Sequence, residues 1–538
     1  MRARASLVIL GEIVSIARPD GLEVVEAIGI LDGRVVSAGS RGDVTDAAAA
    51  GHRLVDARGS AVVPGLHDFH LHLVGLARAR RSVPLADADS FGEVVRRVGE
   101  AARPLAPDAW LFGRGWREEH LDQTALEALE GAVGERPAML TSHDGHSVWA
   151  SAAARRLAGV SATSDDPLGG RFERGTDGEP NGVARERAMS IIDAAAVQLA
   201  GPALAEPLRE QIDELAAMGL TGATDAGDYT ARHGIGPFAT LGDSFSNLAS
   251  AATDDRLRLT IDLPADAIGA AAALELRSGT ALDATRRVGW AKVYSDGALG
   301  SRTAALFEPY SCASGDRGIM RVSGDDLDGL MAAGRQAGIS LAIHAIGDRA
   351  IAEVLDAYQR AGARRAGTPP NRIEHVQLSR PQDRVRFAQL DVTASMQPLH
   401  CPSDRTAIEA CWAGRTDNAY AWRSLAAAGA RLAFGSDAPI EPPDPWLGMF
   451  AAVHRRYPDE ADDWHPEESL TFAAALSAYT LGPAAGLGRS DEGHLQPGAV
   501  ADLAVLDADL ATLLAADERL AGVRSELTLL GGHETHRS

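Results

Sequence analysis

The chain contains almost no lysine. Of its 538 residues, 52 are Lys or Arg, and Lys292 is the single lysine among them. Arginine replaces lysine at little cost on a solvated surface, but its guanidinium stays charged, whereas a desolvated lysine can become a neutral, reactive amine. Lys292 is therefore either an accident of composition or a position that needs an amine, and its neighbours decide between the two.

Cysteine is also scarce. The three cysteines, Cys312, Cys401 and Cys411, form no C-x-x-C pair. They are too few for a disulfide framework, and such usage is typical of a reducing compartment. We therefore expect no disulfide framework, no thiol chemistry and a cytoplasmic location.

Basic stripes and long apolar runs are absent. The formal net charge is −22 and is spread along the chain, which excludes the phosphate-neutralising surface of a nucleic-acid-binding protein. No window approaches roughly 18 uninterrupted apolar residues, so no membrane-spanning segment is expected. Glu12 interrupts the N-terminal apolar run and no small-residue cleavage site follows, which favours strands over a secretory signal. The predicted partner is a small molecule, with neither nucleic acid nor a membrane.

Eight short β-type runs, each ending in polar residues, predict an α/β fold. Most are followed by a helical pattern, such as the spacing of Ile351, Leu355 and Tyr358. The alternation of strand and helix favours a parallel sheet, and eight is the strand count of a (β/α)8 TIM barrel. The runs cover residues 61–72, 221–228, 256–263, 289–297, 340–348, 372–379, 391–400 and 431–439.

Two further parts surround the predicted barrel, which spans residues 61–486. Roughly 150 residues separate its first two strands, and we interpret residues 73–220 as an insertion that covers the active-site face. Residues 1–60 and 487–538 alternate short strands with turns, and each piece is too small to hold a core alone. We therefore expect the two ends of the chain to form one composite β-sandwich domain.

Ligand-type side chains stand at the ends of five predicted strands. His70 and His72 alternate on the first strand, so both imidazoles can face one ion. Near the ends of the fourth, fifth, sixth and eighth runs, where the loops of a barrel gather, stand four more: Lys292, His344, His375 and Asp437. The last three are separated by 31 and 62 residues, or one and two strand–helix repeats. All six are predicted to converge in one pocket.

The motifs that carry these residues resemble the amidohydrolase superfamily. Within it, the chain is similar to N-substituted formamide deformylases and related metal-dependent hydrolases of amidohydrolase family 3. The matching motifs are PGLHDFHLH, GWAKVYSDGALGSRTAAL, AIHAIGDRAI, RIEHVQL and FGSDAPI, with DGHSVW in the insertion and LQPGAVADLAVLD near the end. The resemblance implies that one or two divalent metals are held by His70, His72, Lys292, His344, His375 and Asp437.

The resemblance also gives the single lysine a use. A neutral Lys292 amine can capture CO2 as a carbamate, an anion that bridges two cations, which arginine cannot form. Mononuclear relatives such as cytosine-deaminase-like enzymes lack this lysine, so a dinuclear centre is implied, with two Zn²⁺ ions as cofactors and Mn²⁺, Co²⁺ or Fe²⁺ as alternatives. Catalysis would use a metal-activated bridging hydroxide, with Lys292 and Asp437 as catalytic residues. Asp437 either moves the proton of the water to the leaving nitrogen or serves as a plain ligand.

Six further residues are candidates for substrate binding: Asp144, His146, Trp116, Trp149, Arg302 and His400. The first four are expected to hang over the pocket, unless their segments are ordinary surface loops. Arg302 either binds a carboxylate or oxyanion or pins its own loop, and His400 is either a pocket residue or structural. Asp348 and Glu374 are predicted to orient a ligating imidazole.

The expected function is metal-dependent hydrolysis of an amide-type C–N bond other than a peptide bond, in an N-formyl or N-acyl amine. A deaminase, a lactonase or a carbamate hydrolase is the alternative, because the superfamily uses the same ligands for these reactions. A catalytically inactive scaffold protein is a third class, but it requires lost ligands and all six are present. The resemblance leaves the oligomeric state open between a monomer and a homodimer, since the family often forms dimers.

Overall fold

The computed structural model describes residues 4–117, 123–167, 169–196, 198, 200–228, 231, 233–250 and 255–538. The described strands form three sheets, of eight, seven and six strands. The first belongs to the barrel, the second to the two ends of the chain and the third to the insertion. Helices and strands are numbered along the chain.

The eight-stranded sheet is parallel and nearly closes on itself. Each predicted run overlaps one strand of this sheet, so the α/β class and the strand count are confirmed. Where the first and last strands meet, His72 N donates to Ala438 O at 2.7 Å and Asp437 N donates to His70 O at 2.7 Å. The strands are β5 (Leu66–Leu71), β12 (Leu220–Asp225), β13 (Arg258–Pro264), β14 (Arg286–Tyr294), β15 (Leu341–Ala345), β16 (Arg372–His375), β17 (Thr393–Met396) and β18 (Arg431–Phe434).

Helices lie between and after the barrel strands. The predicted apolar face of α11 (Asp348–Ala361) is confirmed, because Ile351, Leu355 and Tyr358 are all buried. An apolar stripe of this kind packs a helix onto the outside of a sheet. The other helices of this part are α7 (Ala205–Ala217), α8 (Asp243–Ser250), α9 (Ile268–Ala273), α10 (Gly324–Ala337), α12 (Pro381–Gln389), α13 (His400–Cys411), α14 (Trp422–Ala427), α15 (Pro445–His454), α16 (Phe472–Ala478) and α17 (Leu481–Gly486).

The insertion has a sheet and a hydrophobic core of its own. Its strands pair in the order β10, β11, β9, β8, β7, β6. They are β6 (Val83–Pro84), β7 (Leu111–Trp116), β8 (Ala138–Ser142), β9 (Ser147–Ala150), β10 (Gly170–Arg174) and β11 (Pro180–Glu186). The helices are α2 (Leu73–Ala79), α3 (Phe91–Ala102), α4 (Gln123–Val133), α5 (Ala152–Leu157) and α6 (Arg187–Asp193). Arg114 Nε donates to Pro439 O at 3.3 Å, so the insertion touches the loop after the last barrel strand.

The two ends of the chain share one seven-stranded sheet. The strands lie in the order β21, β20, β19, β4, β1, β2, β3. Arg258 of the barrel pairs with Asp502 at 2.6 Å and joins this sheet to the barrel. The strands are β1 (Leu7–Arg18), β2 (Gly21–Leu31), β3 (Arg34–Gly39), β4 (Arg53–Pro64), β19 (Leu503–Leu506), β20 (Ser525–Leu530) and β21 (His533–Arg537), with helices α1 (Arg41–Asp46) and α18 (Leu510–Ala515). Strand β4 runs through the predicted boundary at residue 60, and the division into domains stays a prediction.

Two of the three cysteines form a disulfide, although the scarcity of cysteine predicted a reducing compartment and no disulfide framework. Cys312 and Cys411 form a disulfide across 99 residues of sequence, and only Cys401 is a free, buried thiol. The bond ties the loop that follows β14 to the end of α13. Sequence spacing did not indicate it because the two cysteines become neighbours only when these two βα units pack together.

The helices of the described residues are all too short or too polar to cross a lipid bilayer.

Loss of the Cys312–Cys411 bond should lower the thermal stability of the protein. A disulfide restricts the unfolded chain and typically stabilises the folded state by about 2–4 kcal/mol. Melting curves with and without reductant should therefore show a lower midpoint in reductant. The Cys312→Ser/Cys411→Ser double variant should melt at the lower temperature under both conditions. If the melting midpoint of the parent protein is the same with and without reductant, the disulfide does not stabilise the fold.

Candidate metal centre and its cavity

The six predicted metal ligands line one cavity of about 900 Å³. The cavity lies at the C-terminal ends of the barrel strands, which is where barrel enzymes place their chemistry. The insertion forms much of its wall. The six side chains are those of His70, His72, Lys292, His344, His375 and Asp437.

His70 is held by a buried carboxylate. Its Nδ1 lies 2.5 Å from Glu374 Oε2, and both side chains are fully buried. Although burial alone would raise the pKa of Glu374, Arg372 and His70 hold that pKa well below its usual range. Glu374 is therefore a carboxylate that only accepts hydrogen bonds, so Nδ1 carries the proton. His70 Nε2 lies 3.3 Å from Asp437 Oδ1, and although burial alone would lower the pKa of His70, Glu374 and Asp437 raise it.

His344 and His375 are fixed in a similar way. His375 Nδ1 lies 2.9 Å from Gln397 Oε1, and His344 Nε2 lies 3.1 Å from the carbonyl oxygen of Gly297. Burial holds the pKa of both imidazoles well below the usual value, so both rings are neutral. Each ring donates through its bonded nitrogen and keeps a lone pair on the other, and the ring centroids are 4.6 Å apart.

Asp437 joins three histidines. Its Oδ1 lies 3.3 Å from the Nε2 atoms of His70 and His72, and its Oδ2 lies 3.3 Å from His400 Nε2. Although burial alone would lower the pKa of His400, hydrogen bonds to Asp437 and Glu441 raise it to about 10. His400 is therefore a cation that contacts the ligand candidate Asp437. It is not among the residues that line the cavity.

Lys292 lies beside His70, and no carboxylate of the described residues is close enough to pair with the ammonium group of Lys292. It is 2% exposed, and its Nζ lies 3.5 Å from His70 Nε2. Burial lowers its pKa, while the more distant carboxylates of Glu374 and Asp437 act in the opposite direction. Among the described residues, no carboxylate forms an ion pair with it. This is the environment in which a lysine amine loses its proton most easily.

The donor atoms fit a divalent metal. Ligand atoms of His70, His375 and Asp437 all lie within 4.8 Å of one another. Imidazole nitrogens with a carboxylate oxygen suit Zn²⁺ and similar first-row ions. The second nitrogen of each imidazole is already hydrogen-bonded, as is usual for metal-binding histidines.

Asp144 and His146 reach the cavity, but the other candidate substrate contacts do not line it. Trp116 and Trp149 belong to the hydrophobic core of the insertion, where they are 2% and 0% exposed. Their apolar rings stabilise the insertion sheet from inside instead of facing the substrate. Arg302 is exposed in the turn after β14, where its backbone N–H bonds to Leu299 O.

Of the two predicted orienting carboxylates, Glu374 contacts a ligand and Asp348 does not. Asp348 instead accepts a hydrogen bond from Phe307 N. Gln397 and Glu186 were missed, although each contacts a cavity histidine. Gln397 follows a barrel strand end and could have been found from that position, whereas nothing in the sequence around Glu186 indicates its partner.

An eight-stranded parallel barrel with imidazole and carboxylate groups at its C-terminal face is the architecture of metal-dependent hydrolases. A family model described as the amidohydrolase family matches residues 53–536, and the chain belongs to this family.

Known relatives cover most of the chain. It is 29% identical to the putative amidohydrolase YtcJ of Bacillus subtilis, over 85% of each chain. It is 28% identical to the N-substituted formamide deformylase of Arthrobacter pascens, over 90% of each chain. An uncharacterized metal-dependent hydrolase from Pyrococcus furiosus superposes with a TM-score of 0.72 at 26% identity, covering 94% of this chain and 99% of that one. The family and these neighbours support a hydrolase.

Replacing Glu374 with Gln should weaken metal binding. The amide cannot hold the His70 Nδ1 proton as the carboxylate does, so affinity should fall by about 10- to 100-fold. Titration of Zn²⁺ against a chromophoric chelator measures the change. The matched control is Glu409→Gln on α13, whose side chain is 52% exposed and which should bind as the parent does. Unchanged affinity in Glu374→Gln would show that His70 is not a ligand or is oriented without Glu374.

Proposed function

We propose that the protein is a metal-dependent hydrolase that cleaves an amide-type C–N bond in N-formyl or N-acyl amines. The observation that carries the proposal is the meeting of His70, His375 and Asp437 ligand atoms at one end of a cavity of about 900 Å³. The cavity is large enough for a small organic substrate. The name of the Arthrobacter relative, a formamide deformylase, supports the choice of bond.

The residues that would hold the metals are the six at the strand ends. The site is proposed to bind two Zn²⁺ ions. A divalent metal supplies, when bound, Lewis acidity toward a carbonyl group and a water molecule. Lys292 would join the two positions as a carbamate. Its neutral amine nitrogen would bond to the carbon of CO2 and give one proton to solvent water, which would leave an anionic carbamate on a long side chain.

Asp437 is proposed to move the proton. Although burial alone would raise the pKa of Asp437, His70 and His400 hold it well below the usual value, so the side chain is ionised. In this reaction it takes the proton from water and gives it to the leaving amine nitrogen. His400, 3.3 Å from Oδ2, stabilises the negative charge that Asp437 carries before it takes the proton and after it has given the proton away.

Hydrolysis of a substrate panel tests the proposed bond. Purified protein should be stripped with a chelator, reloaded with Zn²⁺, Mn²⁺, Co²⁺ or Fe²⁺, and assayed on N-formyl amines, N-acyl amines, carbamates, lactones and aminopyrimidines. We expect turnover of formyl or acyl amines that vanishes in the stripped protein and returns with metal. The His375→Ala variant should stay inactive after reloading. Turnover confined to lactones or aminopyrimidines would show that the proposed C–N bond is not the one cleaved. Inactivity of protein with tightly bound metal would favour a catalytically inactive scaffold.

Substitution of Lys292 tests the carbamate. Lys292→Arg keeps a positive charge where an anion is needed, and Lys292→Ala leaves a hole, so both should lose one metal and most activity. A short carboxylic acid such as acetate or propionate should partly restore Lys292→Ala, because it can occupy the bridging position. It should not restore Lys292→Arg, whose guanidinium fills the same space. Full metal content and activity in Lys292→Arg would rule out the carbamate.

A further inference from the structure

Glu186 is a buried acid in an unusual backbone conformation. It ends β11 of the insertion, is 2% exposed, and has φ 52° and ψ −127°. A bulky residue rarely adopts positive φ, and such strain persists only where the surroundings enforce it. In enzymes, residues of this kind cluster at functional sites.

Three side chains from two parts of the chain fix the Glu186 carboxylate. Thr303 Oγ1 donates to Oε1 at 2.6 Å, and Arg321 lies 3.0 Å from Oε2. Both belong to the long loop after β14 of the barrel, whereas the third partner, His146 Nδ1 at 3.1 Å, belongs to the insertion. A Cβ atom on Gly297 would lie 2.3 Å from Glu186 Oε1, so only glycine permits this approach.

These contacts fix the orientation of the His146 imidazole ring. Although burial alone would raise the pKa of Glu186, His146 and Arg321 hold that pKa below its usual value. The Glu186 carboxylate therefore accepts a hydrogen bond that His146 Nδ1 donates. Nε2 is then the nitrogen left for other partners, and no described residue hydrogen-bonds to it. His146 lines the cavity, and its ring centroid lies 5.4 Å from that of His344.

We propose that His146 is a catalytic residue whose Nε2 hydrogen-bonds the polar atoms of the scissile group, and that Glu186 is the positioning residue that holds it there. The proposal rests on the proposed function, since it concerns the substrate cleaved in the same cavity. The insertion thereby supplies a group to the reaction in addition to covering the site. The alternative is that Glu186 and Arg321 form a structural ion pair with no link to turnover.

A double-mutant cycle separates these two roles. We expect His146→Ala to lower kcat/KM by about 100-fold, mainly through kcat, which is the scale for one hydrogen-bonding group at a reacting carbonyl. Glu186→Gln should lower it by about 10- to 100-fold. If Glu186 acts through His146, the double variant should be no slower than His146→Ala alone. Metal content should match the parent in all three variants.

Controls keep the cycle interpretable. Glu179→Gln removes the same charge at an exposed position of the hairpin turn before β11 and should match the parent. Should Glu186→Gln melt too early to assay, Thr303→Val removes one hydrogen bond to Glu186 and replaces it in the cycle. If the losses of kcat/KM in the two single variants multiply in the double variant, the proposal is overturned. Loss of metal in His146→Ala would also overturn it.

The cycle is run on whichever panel substrate the parent hydrolyses. A parent active only on lactones would refute the proposed bond and still leave the coupling of Glu186 and His146 to be measured. A parent that hydrolyses nothing in the panel would overturn both proposals.

Discussion

The candidate metal centre depends on one buried cation. Arg372 is fully buried in the barrel, with its guanidinium 4.8 Å from the ring centroid of Phe69 and 4.1 Å from that of Trp290. It forms ion pairs with Glu374 and with Asp262, the latter at 2.5 Å. Breaking one partner of such a buried network leaves an uncompensated charge, so the set acts as a unit. Because Arg372 keeps Glu374 ionised, it also fixes which nitrogen of His70 faces the cavity.

This arrangement explains how much of the site was predictable. Barrel strands alternate their side chains and end at one face, so a histidine at a strand end has a known direction once the strand is recognised. The eight strands, the apolar face of α11 and the shared cavity of the six ligand-type residues follow from that periodicity. Glu374 was also predicted to orient an imidazole, and it sits next to His375 at the end of the same strand.

Contacts between distant segments were not predictable in the same way. Trp116 and Trp149 stand in motifs rich in aromatic and glycine residues, which suit a substrate pocket as well as a small hydrophobic core. The insertion sheet needs such a core, and it buries both rings. The Cys312–Cys411 bond and the ion pair of Glu186 with Arg321 likewise join segments about 100 residues or more apart. Local periodicity carries no information about such pairs, whereas it suffices for a repeated strand–helix unit.

The barrel and the insertion both contribute side chains to the lining of the cavity. The barrel holds its ligand candidates on rigid strand ends that are hydrogen-bonded from behind, which favours one fixed donor geometry. The insertion contributes side chains from a separate sheet and is tied to barrel loops through Arg114 with Pro439 and through Glu186 with Arg321. Those loops begin at β14, which carries Lys292, and at β18, which precedes Asp437. The insertion is therefore anchored beside two of the ligand candidates, and its side chains line the same cavity as they do.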